Sequence, residues 1–119
     1  MAGYQNDKVM ERLEIQNARI RAAKIAAAVL AGQQSPVLGA IDLNALRSLV
    51  NVPHDDADFE TFLLIDSECD GLPVGTVRQY WSADALTRRE PEVAHAERWA
   101  MDTGGDAFRN VVARFAPAA

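Results

Sequence analysis

Asp66, Glu68 and Asp70 stand at alternate positions directly ahead of Gly71, and theirs are the residue types and spacing in this chain that could do chemistry. Alternating oxygen donors before a glycine open a calcium loop, because such a loop turns successive odd positions toward one cation. The pattern then departs from that loop. Glu68 takes the place of the middle Asp or Asn, Pro73 follows at the hydrophobic position, and Val77 stands where a bidentate Glu closes the shell. Paired carboxylates also serve general acid–base catalysis. No Gly-rich phosphate loop, nucleophile elbow or His–Cys pair accompanies them here. Cys69 lies between Glu68 and Asp70, whose charges raise a thiol's pKa and oppose a nucleophilic role. The expectation is therefore structural. Carboxylates that finish a helix work against its macrodipole and call for a cation, and Arg78 is the nearest one. An Asp66–Arg78 or Glu68–Arg78 pair would pin the helix end to the Tyr80-Trp81 segment. Asp66, Glu68, Asp70, Arg78 and Trp81 thus form the expected structural junction.

The charge distribution points to a second set of residues. The chain of 119 residues carries a net charge of −5, and no Lys or Arg occurs between Arg47 and Arg78. That interval holds Asp55, Asp56, Asp58 and Glu60 as well as the junction acids. Such a balance lacks the basic footprint of a phosphate-gripping protein, so direct nucleic-acid binding is disfavoured. An acidic patch suits a basic protein partner, because complementary fields speed encounter and select partners. Asp55, Asp56, Asp58 and Glu60 are accordingly the expected partner-binding residues. A solvated face with helix-start residues is the bland reading of the same acids. One cysteine excludes an internal disulfide and a multi-thiolate zinc site, and two histidines argue against a histidine-rich centre. No metal or cofactor is expected. The longest apolar run, residues 25–31, is too short to span a bilayer, and residues 1–7 lack a signal-peptide pattern, so a cytoplasmic address follows by default.

The elements that must position these residues all read as helices. Residues 4–31 form one long helix, with Val9, Leu13, Gln16, Ile20, Ala23, Ala27 and Leu30 at spacings of four and three. Gly32 ends it. That seam also permits a coiled-coil homodimer, although Gln16 interrupts it, and an intramolecular bundle is the favoured outcome. Ser35-Pro36 starts a short turn, Gly39 weakens it, and Asp42 can cap a second helix over about residues 43–50. Asp55 or Asp56 caps a helix reaching about Cys69, with Phe59, Phe62, Leu63 and Ile65 or Asp66 buried. Gly71 and Pro73 stop it, and Thr76 caps a helical turn through Trp81. Ser82 caps residues 83–89, Glu90-Pro91 kinks or restarts the helix, and Trp81 and Trp99 are core candidates. Gly104-Gly105 either breaks the last helix, with Asp106 capping a new one, or is carried through by packing. Residues 116–119 are a frayed tail.

The run Val29-Leu30-Ala31-Gly32, then Gly39, Leu46, Ile65-Asp66-Ser67-Glu68, Asp70, Leu72-Pro73, Val77-Arg78 and Trp81 resembles a family of small bacterial proteins of unknown function. The resemblance covers about residues 25–100 and is most specific from Ile65 to Trp81. Cys69 and Gly71 depart from it, where Thr and a bulkier residue are usual. It implies a bacterial helical domain and carries over no activity. The combined expectation is a single all-α domain over 1–119, a bundle of five or six helices. Its expected role is that of a small acidic protein-binding protein, such as an immunity protein or inhibitor neutralising a basic toxin. The alternative is a metal-dependent or acid/base enzyme domain using Asp66, Glu68 and Asp70.

Overall fold

The computed structural model describes residues 2–117, with side chains from Asp7 onward. All regular structure among them is helical: α1 (Ala2–Leu30), α2 (Pro36–Ala45), α3 (Ala57–Glu68), a 3-10 helix (Gly75–Tyr80) and α4 (Ala83–Phe115). None of these helices is long and apolar enough to cross a membrane. The radius of gyration is 16.6 Å and the longest dimension 61 Å. A compact chain of this length has a radius of about 13.5 Å. The elongation comes from α1 and α4, each spanning on the order of 45 Å at 1.5 Å per residue.

These two long helices run antiparallel and offset. Arg19 of α1 stacks on Phe115 in the last turn of α4. Ser35, just past the end of α1, hydrogen-bonds Glu97 near the middle of α4. The N-terminal half of α1 consequently runs past the end of α4, and Val9, Met10 and Leu13 are exposed. The buried stripe of α1 is Ala18, Ala22, Ala26 and Val29, joined by Ala23. The expected seam through Val9, Leu13, Gln16 and Ala27 is therefore rotated out to solvent. Its physical reason is close helix approach. Alanines let α1 lie tightly against its neighbours, while larger side chains such as Ile25 and Leu30 pack at the margins.

The interior is filled by Phe59, Phe62 and Ile65 of α3, Val37, Ala40 and Leu43 of α2, and Ala100, Phe108 and Val111 of α4. Phe62 sits between two rings, 5.3 Å from Phe59 edge-to-face and 5.3 Å from Phe108. Glycine is required at two of the close helix approaches. A Cβ on Gly39 would collide with the Val29 side chain, and one on Gly104 would lie 2.9 Å from Ile65 Cδ1. This explains one departure from expectation and decides one open alternative. α2 is continuous through Gly39 to Ala45 and is followed by turns over 46–51, rather than by a helix over 43–50. α4 is continuous through Gly104-Gly105, both buried, because tertiary contacts outweigh a propensity penalty of about 1 kcal/mol per glycine. Pro91 is also carried within α4, at an exposed position where solvent can satisfy the freed carbonyl. Asp42 and Asp106 thus lie inside helices, and the tail begins at Ala116, with 118–119 outside the described residues.

Candidate functional site

The two groups of acids meet very different surroundings. Asp56 is the N-cap of α3, its Oδ2 accepting from Phe59 N–H at 3.2 Å. Arg114 of α4 donates to both oxygens of Asp56, at 2.8 and 3.1 Å, and to Asp58 Oδ2 at 2.8 Å. Asn110 donates to the other oxygen of Asp58 at 2.9 Å. The Asp56 and Asp58 side chains keep only 11% and 13% of their exposure. Burial pushes the Asp56 carboxyl up, but the Arg114 and Phe59 hydrogen bonds and the Arg114 charge outweigh it, so it ends below its ordinary value. Glu60 is paired with Arg47, which also donates to the His54 carbonyl. Three of the four acids expected to face a partner are therefore neutralised within the fold. Asp55 alone of the four is exposed without a hydrogen bond or ion pair among the described residues. The reason is the antiparallel return of α4, which places Arg114 beside an acid more than fifty residues earlier.

At the end of α3 the arrangement is reversed. Asp66 Oδ2 accepts from Asn44 Nδ2 of α2 at 2.9 Å, and Arg78 donates to the Pro73 carbonyl at 3.3 Å. The expected Asp66–Arg78 or Glu68–Arg78 ion pair is not formed. The backbone turns first: Gly71 adopts φ +82°, and the 3-10 helix starts at Gly75, so Arg78 folds back onto its own loop. Thr76 lies within that 3-10 helix, and Val74 holds the cap position without a side-chain bond. Glu68 and Asp70 are exposed, and no hydrogen bond or ion pair among the described residues holds either side chain. Among the described residues no three His, Cys, Asp or Glu side chains converge as a metal set. The calcium-like spacing of Asp66, Glu68 and Asp70 thus does not gather their oxygens, because the first two lie within α3.

Two clefts open on either side of the loop that carries these acids. One, of about 530 Å³, is lined by Leu38, Ile41, Leu72, Val74, Val77 and Trp81, with Asp66 and Asp70 at its edge. The other, of about 360 Å³, lies between Glu68, Asp70, Glu92, His95 and Trp99. Cys69, Asp70 and Leu72 border both. Trp81 and Trp99 are half-buried walls of these clefts; Trp99 also packs against the core, whereas Trp81 does not join it. Arg89 lies 5.2 Å from the centre of the Trp81 ring and bonds Glu92 at 2.5 Å. Cys69 is buried, and burial together with the charges of Glu97, Glu68 and Asp66 pushes its thiol up, so it stays protonated.

Glu97 is a positioning residue the sequence does not reveal. Its Oε1 accepts from Ser35 Oγ at 2.7 Å and from Val37 N–H at 2.9 Å, while Ser35 Oγ accepts from Leu38 N–H. A carboxylate at the start of α2 satisfies unpaired backbone donors and complements the dipole, fixing the apolar wall formed by Leu38 and Ile41. The capping signal Ser35-Pro36 marks where such an acid is useful, but not which acid arrives. Leu63, expected on the buried face of α3, is instead 40% exposed, since Phe59, Phe62 and Ile65 fill the space. Set against known protein families, curated proteins and solved structures, the chain matches none.

Proposed function

We propose that this protein is a small acidic binding protein whose role is to hold a basic protein partner, in its sharpest form an inhibitor of the immunity type. The observation that carries the reading is the contrast in acid pairing. Asp56, Asp58 and Glu60 are consumed by Arg114 and Arg47, whereas Glu68 and Asp70 stand exposed beside open clefts and unpaired among the described residues. Free carboxylates on a protein of net charge −5 attract cationic surfaces, steer their approach and reject acidic ones. The binding surface is accordingly moved from Asp55–Glu60 to the end of α3. The resemblance in the Ile65–Trp81 core to small bacterial helical proteins fits this reading, since that core coincides with the loop between the two clefts.

The reading is tested with an arrayed library of basic and acidic peptides. Saturable binding of basic members, weakening as salt rises through about 0.1 M where screening sets in, is the expected result. No preference for basic peptides, or a preference for acidic ones, would overturn it. Addition of calcium, magnesium or manganese is expected to leave the melting temperature unchanged.

A further inference from the structure

Four carboxylates line the paired clefts, Glu68, Asp70 and Glu92 in one and Asp66 with Asp70 in the other, and the one guanidinium among the lining residues, Arg89, is already bonded to Glu92. The lining is thus mixed and net negative on one side of Leu72 and, apart from Asp66 and Asp70, chiefly apolar on the other. The acids are spread out, with no three of them close enough to share an ion. A point cation gains little from such a spacing. A guanidinium or ammonium at the end of a side chain is larger, carries several donors and is satisfied by carboxylates set apart. The indole of Trp99 lines the same acidic cleft, a surface that organic cations favour. On the apolar side, Leu38 and Ile41 from α2 face Val77 and Trp81 across the opening. Val77 is 45% exposed, and Tyr80 on the same 3-10 helix is 82% exposed. Both clefts are open to solvent and share Cys69, Asp70 and Leu72, so they flank the same loop. Small-molecule sites enclose most of their ligand's surface. An open double cleft suits a chain segment that enters, crosses and leaves.

We propose that the clefts on either side of Leu72 form one docking groove for a basic segment of a partner protein. It seats an apolar side chain among Leu38, Ile41 and Val77, and a neighbouring Arg or Lys among Glu68, Asp70 and Trp99. This rests on the reading of the protein as a binder of basic partners and names the surface and the recognition pattern. The protonated Cys69 thiol at the shared edge adds neither charge nor nucleophilicity to the groove.

The test uses short synthetic peptides that carry a Leu or Phe near an Arg, with matched peptides in which either residue is replaced by Ser. Binding to the intact protein is measured by calorimetry. The two-residue peptide is expected to bind about tenfold or more tighter than either single version, since an apolar anchor and a charge pair each carry such a share. The double variant E68Q/D70N is expected to lose about tenfold for the Arg-containing peptides and to leave the apolar-only peptide unchanged. V77D is expected to weaken the apolar-containing peptides, and D55N to weaken none. Val77, Glu68, Asp70 and Asp55 are all exposed, so none of the three variants should melt below the parent. If basic peptides bind but E68Q/D70N and V77D leave their affinity unchanged, the groove is wrong and the broader function stands. If no basic peptide binds at all, both fall. Free arginine or a diamine binding as tightly as the peptide would replace the segment by a small cation. A chain that dimerises without peptide, and that V77D returns to monomer, would assign the groove to a second copy instead.

Discussion

The two ends of α3 carry the same chemical groups and use them oppositely. At its start, Asp56 and Asp58 sit at the favourable end of the macrodipole, cap the first turn and hold Arg114 in a forked arrangement. At its end, Asp66, Glu68 and Asp70 lie at the unfavourable end, and among the described residues Asp66 alone of the three has a partner, the neutral Asn44. The first group stabilises the fold. The second is stability forgone on a surface that faces two clefts. Acids that oppose the helix dipole in this way are the ones that the proposed basic partner would compensate.

That comparison can be broken by mutation. Asp56→Ala should produce the largest loss, about 3 kcal/mol in urea unfolding, from a lost cap and lost charge-assisted bonds. Arg114→Ala should cost about 2 kcal/mol, since it leaves Asp56 and Asp58 partly buried without their cation. A loss smaller than about 0.5 kcal/mol, the scale of an exposed pair, would mean that α3's start is held by packing alone. Glu97→Ala should follow, at about 1–2 kcal/mol by the same measurement, because the start of α2 loses two hydrogen bonds to a charged group.

Acid should act on the clamp in a definite direction. The Asp56 carboxyl lies below its ordinary value in the folded protein, so the unfolded chain takes up its proton first. Its contribution is complete above the ordinary carboxylate range near pH 4 and is lost as pH falls through the lower folded value. Stability measured against pH should therefore drop below about pH 4, and Arg114→Ala should reduce that drop. The smallest effect belongs to the other end of the helix. Glu68→Gln with Asp70→Asn should change stability by no more than about 0.5 kcal/mol, and in the stabilising direction, because it removes charge opposed to the dipole. A loss exceeding about 1 kcal/mol would show these acids to be structural after all and erase the contrast.

Much of this architecture is readable from local pattern. The Ser35-Pro36, Asp56 and Ser82 caps, the stop at Gly71, the all-helical class and the buried Phe59, Phe62 and Ile65 depend on residues close in sequence, whose propensity and periodicity act locally. The carboxylates at the end of α3 are legible in the sequence, but their partner is not: Asn44 reaches Asp66, and Arg78 bonds the Pro73 carbonyl. A nearest-in-sequence cation is a poor guide once Gly71 and Gly75 redirect the chain.

What the sequence by itself determined is where α2, α3 and α4 start and which stretch carries unbalanced charge, because capping, turn and composition signals need no distant partner. Only the tertiary structure decided which acids are free. The antiparallel return of α4 brings Arg114 to Asp56 and Asp58, and Glu97 to the start of α2, across separations of 56 to 62 residues. It also lets Gly39 and Gly104 behave as packing sites rather than breaks, since a contact made by the opposite helix outweighs a local penalty.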